Sequence, residues 1–260
     1  KKMKSPEKIG ELIPIPSPKQ MEEAQSHHLN PLSSEGKDDQ FNFLYGGKKG
    51  MMSKEEIEKF WKGGFVMSLQ QVSPNFVIDE RNRNLIGAIY TWIWSNLGRF
   101  PPGVLDPHKG LLLWGEIGTG KTTLLKGIQR YLATINQIAY GFRASNICIE
   151  IRSAAEIALR YSIDGINALD YWTDRNMAGN LAIDEIGREE LSKHFGTSCN
   201  VVQTVLQLRY EQRHNILTLG STNMDMAHPD EFRERYGDYI MDRAKEMFNF
   251  VKVGGGSRRR

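Results

Sequence analysis

The 260-residue sequence predicts an α/β fold in which a parallel sheet is covered by helices on both faces. Short apolar runs, Leu111-Leu112-Leu113-Trp114 and Leu181-Ala182-Ile183 among them, lack the polar alternation of a half-exposed strand, so each reads as buried on both sides. Segments with helical spacing separate these runs, as crossovers between parallel strands require. A glycine-rich turn from Gly115 to Thr122 joins the first strand of the series to its first helix.

The elements follow in order. Residues 1–50 are poor in apolar side chains and include Ile13-Pro14-Ile15-Pro16-Ser17-Pro18, which predicts a partly extended arm. Ser53 and Glu56 have capping-box spacing, and Ile57, Phe60 and Trp61 share a helical face; a short amphipathic helix ending at Gly63-Gly64 is predicted. Such a helix packs either on its own domain or on a partner. Residues 1–75 are therefore read as an arm and partner-binding segment, and 76–260 as the main domain. A helix over 79–96 carries the stripe Ile86, Ile89, Tyr90, Ile93, and Pro101-Pro102-Gly103 closes it. Strands are then predicted at 111–114, 147–151, 180–184 and 216–221, with helices at 121–134, 153–161 and 199–214 between them.

Composition excludes several classes. An apolar fraction of 40% and a charged fraction of 25% are those of a globular protein, not of a chain disordered throughout. No run approaches the ~18 apolar residues of a membrane span, and the lysine-rich start leads into Pro and Glu; a soluble, cytoplasmic protein with no membrane partner is expected. Cys148 and Cys199 have no Cys or His at zinc-finger spacing, which excludes a zinc module and a disulfide framework and points to a reduced compartment. The net charge of +3 is compatible with nucleic acid but does not single it out.

The chemistry concentrates in Gly115-Glu116-Ile117-Gly118-Thr119-Gly120-Lys121-Thr122, which satisfies G-x-x-x-x-G-K-[ST] between a strand and a helix. Its glycines let successive N–H groups converge on phosphate oxygens, and the helix beginning near Lys121 adds its positive dipole end. Lys121 reaches the β and γ phosphates, the Thr122 hydroxyl is a ligand for Mg²⁺, and Thr123 completes the set of residues assigned to ATP. The plain alternative is a strand-to-helix turn without a ligand.

Asp184 and Glu185 stand at the carboxyl end of an apolar strand, where ligands gather in an open parallel sheet. Consecutive residues point to different sides, so Asp184 can serve the magnesium shell while Glu185 activates a water. The alternative is a solvated acidic turn running into Gly187-Arg188-Glu189-Glu190. Asn223 ends the next apolar strand, placed either to contact the γ-phosphate and the attacking water or to make a helix cap or Asx turn. Arg235, Tyr239 and Arg243 are spaced i, i+4, i+8 and predict one helical face displaying two guanidinium groups, or an ordinary solvated basic face. The chain closes on Ser257-Arg258-Arg259-Arg260, which by itself reads as a disordered basic tail.

Taken in order, Gly115 to Thr122, Asp184-Glu185-Ile186-Gly187, Leu208-Arg209-Tyr210, Ser221-Thr222-Asn223, Met241-Asp242-Arg243 and Gly255-Gly256-Ser257-Arg258-Arg259 resemble the DnaC/DnaI and IstB clade of AAA+ ATPases, the helicase loaders and transposition helpers. The resemblance spans roughly residues 76–260. It implies an AAA+ P-loop NTPase with a five-stranded parallel sheet between helices, ATP and Mg²⁺ at a subunit edge, a homo-oligomer, and DNA as partner. It further implies a replicative helicase to be loaded, or in the IstB-like alternative a transposase to be recruited; a third possibility is a nucleotide-dependent scaffold with little turnover. By the same likeness Asn223 takes the sensor-1 role and Arg258 or Arg259 the sensor-2 role, while Lys121 and Glu185 are catalytic. The clade's trans-acting arginine falls one turn before Met241-Asp242-Arg243, where this chain has Tyr239, which leaves Arg243 or Arg235 as the substitute. Neither a zinc-bearing amino-terminal domain nor a compact helical lid is expected.

Overall fold

The computed structural model describes residues 54–140, 147–174, 178–194 and 197–255. The expected arm over 1–50, the Ser53 end of the capping box, and Arg258 and Arg259 lie outside the described residues. Helices α1 (Lys54–Val72) and α2 (Arg83–Asn96) precede strand β1 (Gly110–Trp114). Then come α3 (Lys121–Tyr140), β2 (Ile149–Ser153), α4 (Ala154–Asp164), α5 (Asn167–Thr173) and β3 (Asn180–Ile186). A short antiparallel pair, β4 (Ser192–His194) and β5 (Thr197–Cys199), leads into α6 (Val201–Tyr210), β6 (Thr218–Thr222), α7 (Asp230–Met247) and β7 (Phe248–Lys252).

Five strands form one parallel sheet in the order β2-β3-β6-β1-β7. Successive residues of a strand face opposite sides, and the core divides accordingly. Leu111 and Leu113 join Ala182, Leu219 and Val251 under α1, α2 and α3, while Leu112 and Trp114 join Leu181, Ile183 and Phe248 under α4 to α7. Both faces are covered, which is why β1 and β6 are buried along their whole length. The expected α/β class and five-stranded parallel sheet are present.

The first helix departs from expectation. It does not stop at Gly63-Gly64 but runs on to Val72, 19 residues in all. Two interior glycines cost roughly 1 kcal/mol each, and tertiary packing outweighs that cost. Trp61, Phe65 and Leu69, spaced i, i+4, i+8, are buried to 1%, 0% and 0% exposure against α2 and α3. The glycines permit the approach: a Cβ on Gly64 would lie 3.5 Å from the Tyr131 ring, and one on Gly127 of α3 would meet Leu69 at 2.3 Å. The Tyr131 hydroxyl donates to the Trp61 carbonyl at 2.8 Å and accepts from the Trp94 indole at 3.1 Å, while the Trp61 and Trp94 rings meet edge to face with centroids 5.2 Å apart. Of the two readings, the helix on its own domain is the one this packing fits. Trp61→Ala is expected to lower stability by about 3–5 kcal/mol, read from urea unfolding; an unchanged midpoint would show the helix to be peripheral.

Elsewhere the boundaries shift by a few residues for local reasons. Helix α4 starts after a full capping box, in which the Ser153 hydroxyl accepts from the Glu156 N–H at 3.1 Å and the Glu156 carboxylate accepts from the Ser153 N–H at 2.7 Å. Helix α5, the β4–β5 pair and the edge strand β7 were not read from the sequence. Strand β7 follows α7 without a loop and pairs with β1 along its whole length. Both cysteines are free thiols.

Candidate nucleotide site

The carboxyl ends of β1, β6 and β3 lie side by side, since β6 sits between the other two. The loop from Gly115 to Gly120 leaves β1 and enters α3. Gly118 at φ 84° and Gly120 at φ 100° occupy backbone conformations that side chains disfavour, and the curl they allow brings the loop back over its own carbonyls. The Lys121 ammonium donates to the Gly115 and Glu116 carbonyls at 2.7 Å each, and the Thr119 hydroxyl donates to the Glu116 carbonyl at 2.9 Å. Glu116 and Ile117 stand exposed at the tip, and Thr123 is half-buried in the first turn of α3.

The residues expected to serve magnesium come together across the sheet. The Thr122 hydroxyl donates to the Asp184 carboxylate at 2.9 Å, although the two are far apart in sequence. Asp184 is buried and also accepts from the Ser221 hydroxyl. A glycine-rich loop curling between a strand and a helix, with its hydroxyl meeting an acid at the end of a neighbouring parallel strand, decides the fold.

This is a P-loop NTPase fold.

Asp184 and Glu185 diverge as expected. Glu185 is half-exposed and pairs with Arg188 at 3.1 Å, while its own backbone is left-handed at φ 59°. The β3–β6 register shifts between Ile183 and Ile186, so a bulge falls at these two acids. Asn223, at the end of β6, is exposed. Among the described residues the Asx turn here is made not by Asn223 but by Asp225, which accepts from the Ala227 N–H at 2.8 Å. Beside Asp184 a cleft of about 790 Å³ opens, bounded by Lys126, Gln129 and Arg130 on one side and Ser153 and Glu156 on the other.

The shared face of Arg235, Tyr239 and Arg243 is corrected. Gly237 at φ 85°, ψ 159° interrupts α7, so helical spacing does not carry across it. Arg235 turns inward to Glu189, with Nε 3.2 Å from the carboxylate. Arg243 pairs with Glu211 at 3.3 Å and lies over the Tyr239 and Tyr210 rings at 3.7 and 4.5 Å. Its Nη1 is buried with no partner among the described residues. Both guanidinium groups are thus engaged within their own chain.

Glu189 was missed. Read from sequence as part of a solvated turn, it is 3% exposed, accepts from the Gly187 N–H at 2.9 Å and from the Tyr236 hydroxyl at 2.5 Å, and holds Arg235. Burial and the nearby Glu189 charge push the Tyr236 phenol well above its ordinary range, so it remains a donor. This cluster ties α7 to the segment that follows Glu185.

No family model matches the chain, and no curated protein matches it. Solved structures similar to it include a DnaC helicase loader, at 16% identity over 70% of this chain and 96% of that one, with a TM-score of 0.49. A candidate primosome component of Streptococcus pyogenes serotype M3 is 17% identical over 74% of this chain and 91% of its own, with a TM-score of 0.49. DnaA of Aquifex aeolicus bound to AMPPCP is 16% identical over 69% of this chain and 48% of its own, with a TM-score of 0.42. No helix among the described residues is long and apolar enough to cross a membrane.

Proposed function

We propose that this chain binds ATP with Mg²⁺, hydrolyses it, and works on DNA as a homo-oligomer that loads a replicative helicase. The observation that carries the ATPase reading is the meeting of Thr122 with Asp184 beside the Lys121 loop. The donor set fits magnesium: one carboxylate and one hydroxyl, both hard oxygens, are what that ion takes from a protein when phosphates and waters complete its shell. Thr122 and Asp184 would hold it, and when bound it supplies charge neutralisation on the β and γ phosphates.

The chain's own residues do the rest. Lys121 exchanges two loop carbonyls for phosphate oxygens, which frees those carbonyls to water and lets the loop N–H groups turn to the ligand. Glu185 leaves Arg188, a half-exposed pair worth little, and accepts a proton from the attacking water. The Asn223 amide, exposed one residue past the end of β6, serves the γ-phosphate and the attacking water. A guanidinium from a neighbouring subunit completes the charge balance; Arg243 serves by leaving Glu211 and the tyrosine rings, or Arg235 by leaving Glu189, and Arg258 or Arg259 contacts the nucleotide in cis. The packing of Trp61, Phe65 and Leu69 supports counting residues 54–75 with the ATPase unit and leaving 1–53 as the partner-binding arm. Helicase loading rests on the order of the sequence motifs.

Lys121→Ala is expected to weaken ATP binding by about tenfold or more, since a hydrogen bond to a charged group is worth about 1.5–3 kcal/mol, and to abolish turnover. Fluorescent-nucleotide titration and phosphate release measure both; wild-type values in the variant would overturn the assignment. For the partner, preference for single strands and capture of a replicative helicase support the loader. Preference for duplex DNA with capture of a transposase indicates the helper, and ATP binding without turnover indicates the scaffold.

A further inference from the structure

We infer that Ser221 is a positioning residue that sets the metal ligand and the general base together through a single hydroxyl; this rests on reading Asp184 and Glu185 as the hydrolytic pair. The bulge between Ile183 and Ile186 removes the ladder pairing that would otherwise fix the two acids against β6. Ser221, 1% exposed on β6, fills that gap. Its hydroxyl donates to the Asp184 carboxylate and accepts the Glu185 N–H at 2.9 Å. A hydroxyl has one proton and two lone pairs, so it can do both at once, and an aliphatic side chain can do neither.

Each bond has a separate consequence. The first turns Asp184 toward Thr122 and the metal position, as the hydrogen-bonded outer shell of a ligating carboxylate does. The second gives a buried partner to the Glu185 N–H at φ 59°, a conformation uncommon for a residue with a side chain. Without that partner the backbone has reason to relax toward the extended region, and the Glu185 carboxylate swings with it. Thr222 secures the far side of the same bulge, donating to the Ile186 carbonyl at 2.8 Å. The bulge is therefore held by two consecutive hydroxyls, of which only Ser221 touches the acids.

Ser221→Ala and Ser221→Thr test this in the full chain. Affinity for a fluorescent ATP analogue is titrated in EDTA and again in Mg²⁺, alongside phosphate release. Ser221→Ala is expected to bind the analogue normally in EDTA, to lose most of the affinity gained on adding Mg²⁺, and to turn over about 10- to 100-fold more slowly. Ser221→Thr, which keeps the hydroxyl, is expected to recover most of both. An unchanged Mg²⁺ response and rate in Ser221→Ala would overturn the inference, as would equal losses in the two variants or a loss of affinity in EDTA. If wild type and Glu185→Gln release phosphate alike, the hydrolytic reading fails instead; if Glu185→Gln is inactive while Ser221→Ala is not, only the role of Ser221 fails.

Discussion

Glu185→Gln is expected to bind ATP as the wild type does and to lose about 10²- to 10⁴-fold in turnover, the usual worth of a positioned general base. The change removes a proton acceptor while keeping the shape and the backbone N–H that Ser221 accepts. Nothing in the loop is disturbed, because the Glu185 side chain pairs outward with Arg188 rather than with Lys121 or Thr122. Asp184→Asn should behave differently: it weakens the carboxylate that Thr122 and Ser221 both address, so its loss should appear in Mg²⁺-dependent nucleotide affinity. Single-turnover phosphate release with a parallel binding titration separates the two. If Glu185→Gln loses affinity while Asp184→Asn retains it, the roles of the acids are reversed.

Arg209→Ala is expected to destabilise the chain by about 3 kcal/mol or more, with nucleotide binding lost only through unfolding. Arg209 is fully buried in α6, and its guanidinium donates to the Trp172, Gly179 and Leu217 carbonyls at 2.6, 3.0 and 2.9 Å and to the Thr218 hydroxyl at 2.9 Å. Truncation strands four acceptors, from α5, the lead into β3, and the start of β6, in a fully buried site. Burial pushes the guanidinium down to about 10, against the opposing pull of Glu150, and it stays charged at neutral pH. Arg209→Lys should rescue little, because one ammonium cannot span acceptors held by three separate elements. Urea unfolding measures both variants. A midpoint within error of wild type would mean the four carbonyl and hydroxyl partners are satisfied some other way.

These two residues differ in how visible they were. Glu185 was legible because it follows an apolar strand downstream of a complete phosphate-loop motif, and both signals are local. Arg209 carries no local signal of its role and enters only through a resemblance, since its partners come from three places in the sequence and no spacing rule links them. Ser221 and Glu189 were invisible as site residues for the same reason. A serine in Gly220-Ser221-Thr222-Asn223 is ordinary until the bulge in β3 brings the Asp184 carboxylate and the Glu185 N–H to it. Gly237 did leave a signal, a glycine between Arg235 and Tyr239; periodicity counts positions and ignores φ, so the predicted common face failed there.

The sequence by itself determined the parallel α/β sheet, the loop from Gly115 to Thr122, and the placing of Asp184, Glu185 and Asn223 at strand ends. Each follows from residue types within a few positions of one another, where hydrophobic burial and backbone sterics act locally. Only the tertiary structure decided that α1 runs through Gly63-Gly64, that β7 closes the sheet, and that both candidate arginines are held by their own chain. Those outcomes depend on surfaces distant in sequence: Leu69 against Gly127, Phe248 to Lys252 along β1, Arg235 against Glu189, Arg243 against Glu211. Where an apolar side chain such as Leu69 is fully buried, that burial exceeds the roughly 1 kcal/mol per residue of local propensity, so where the two disagree, packing prevails.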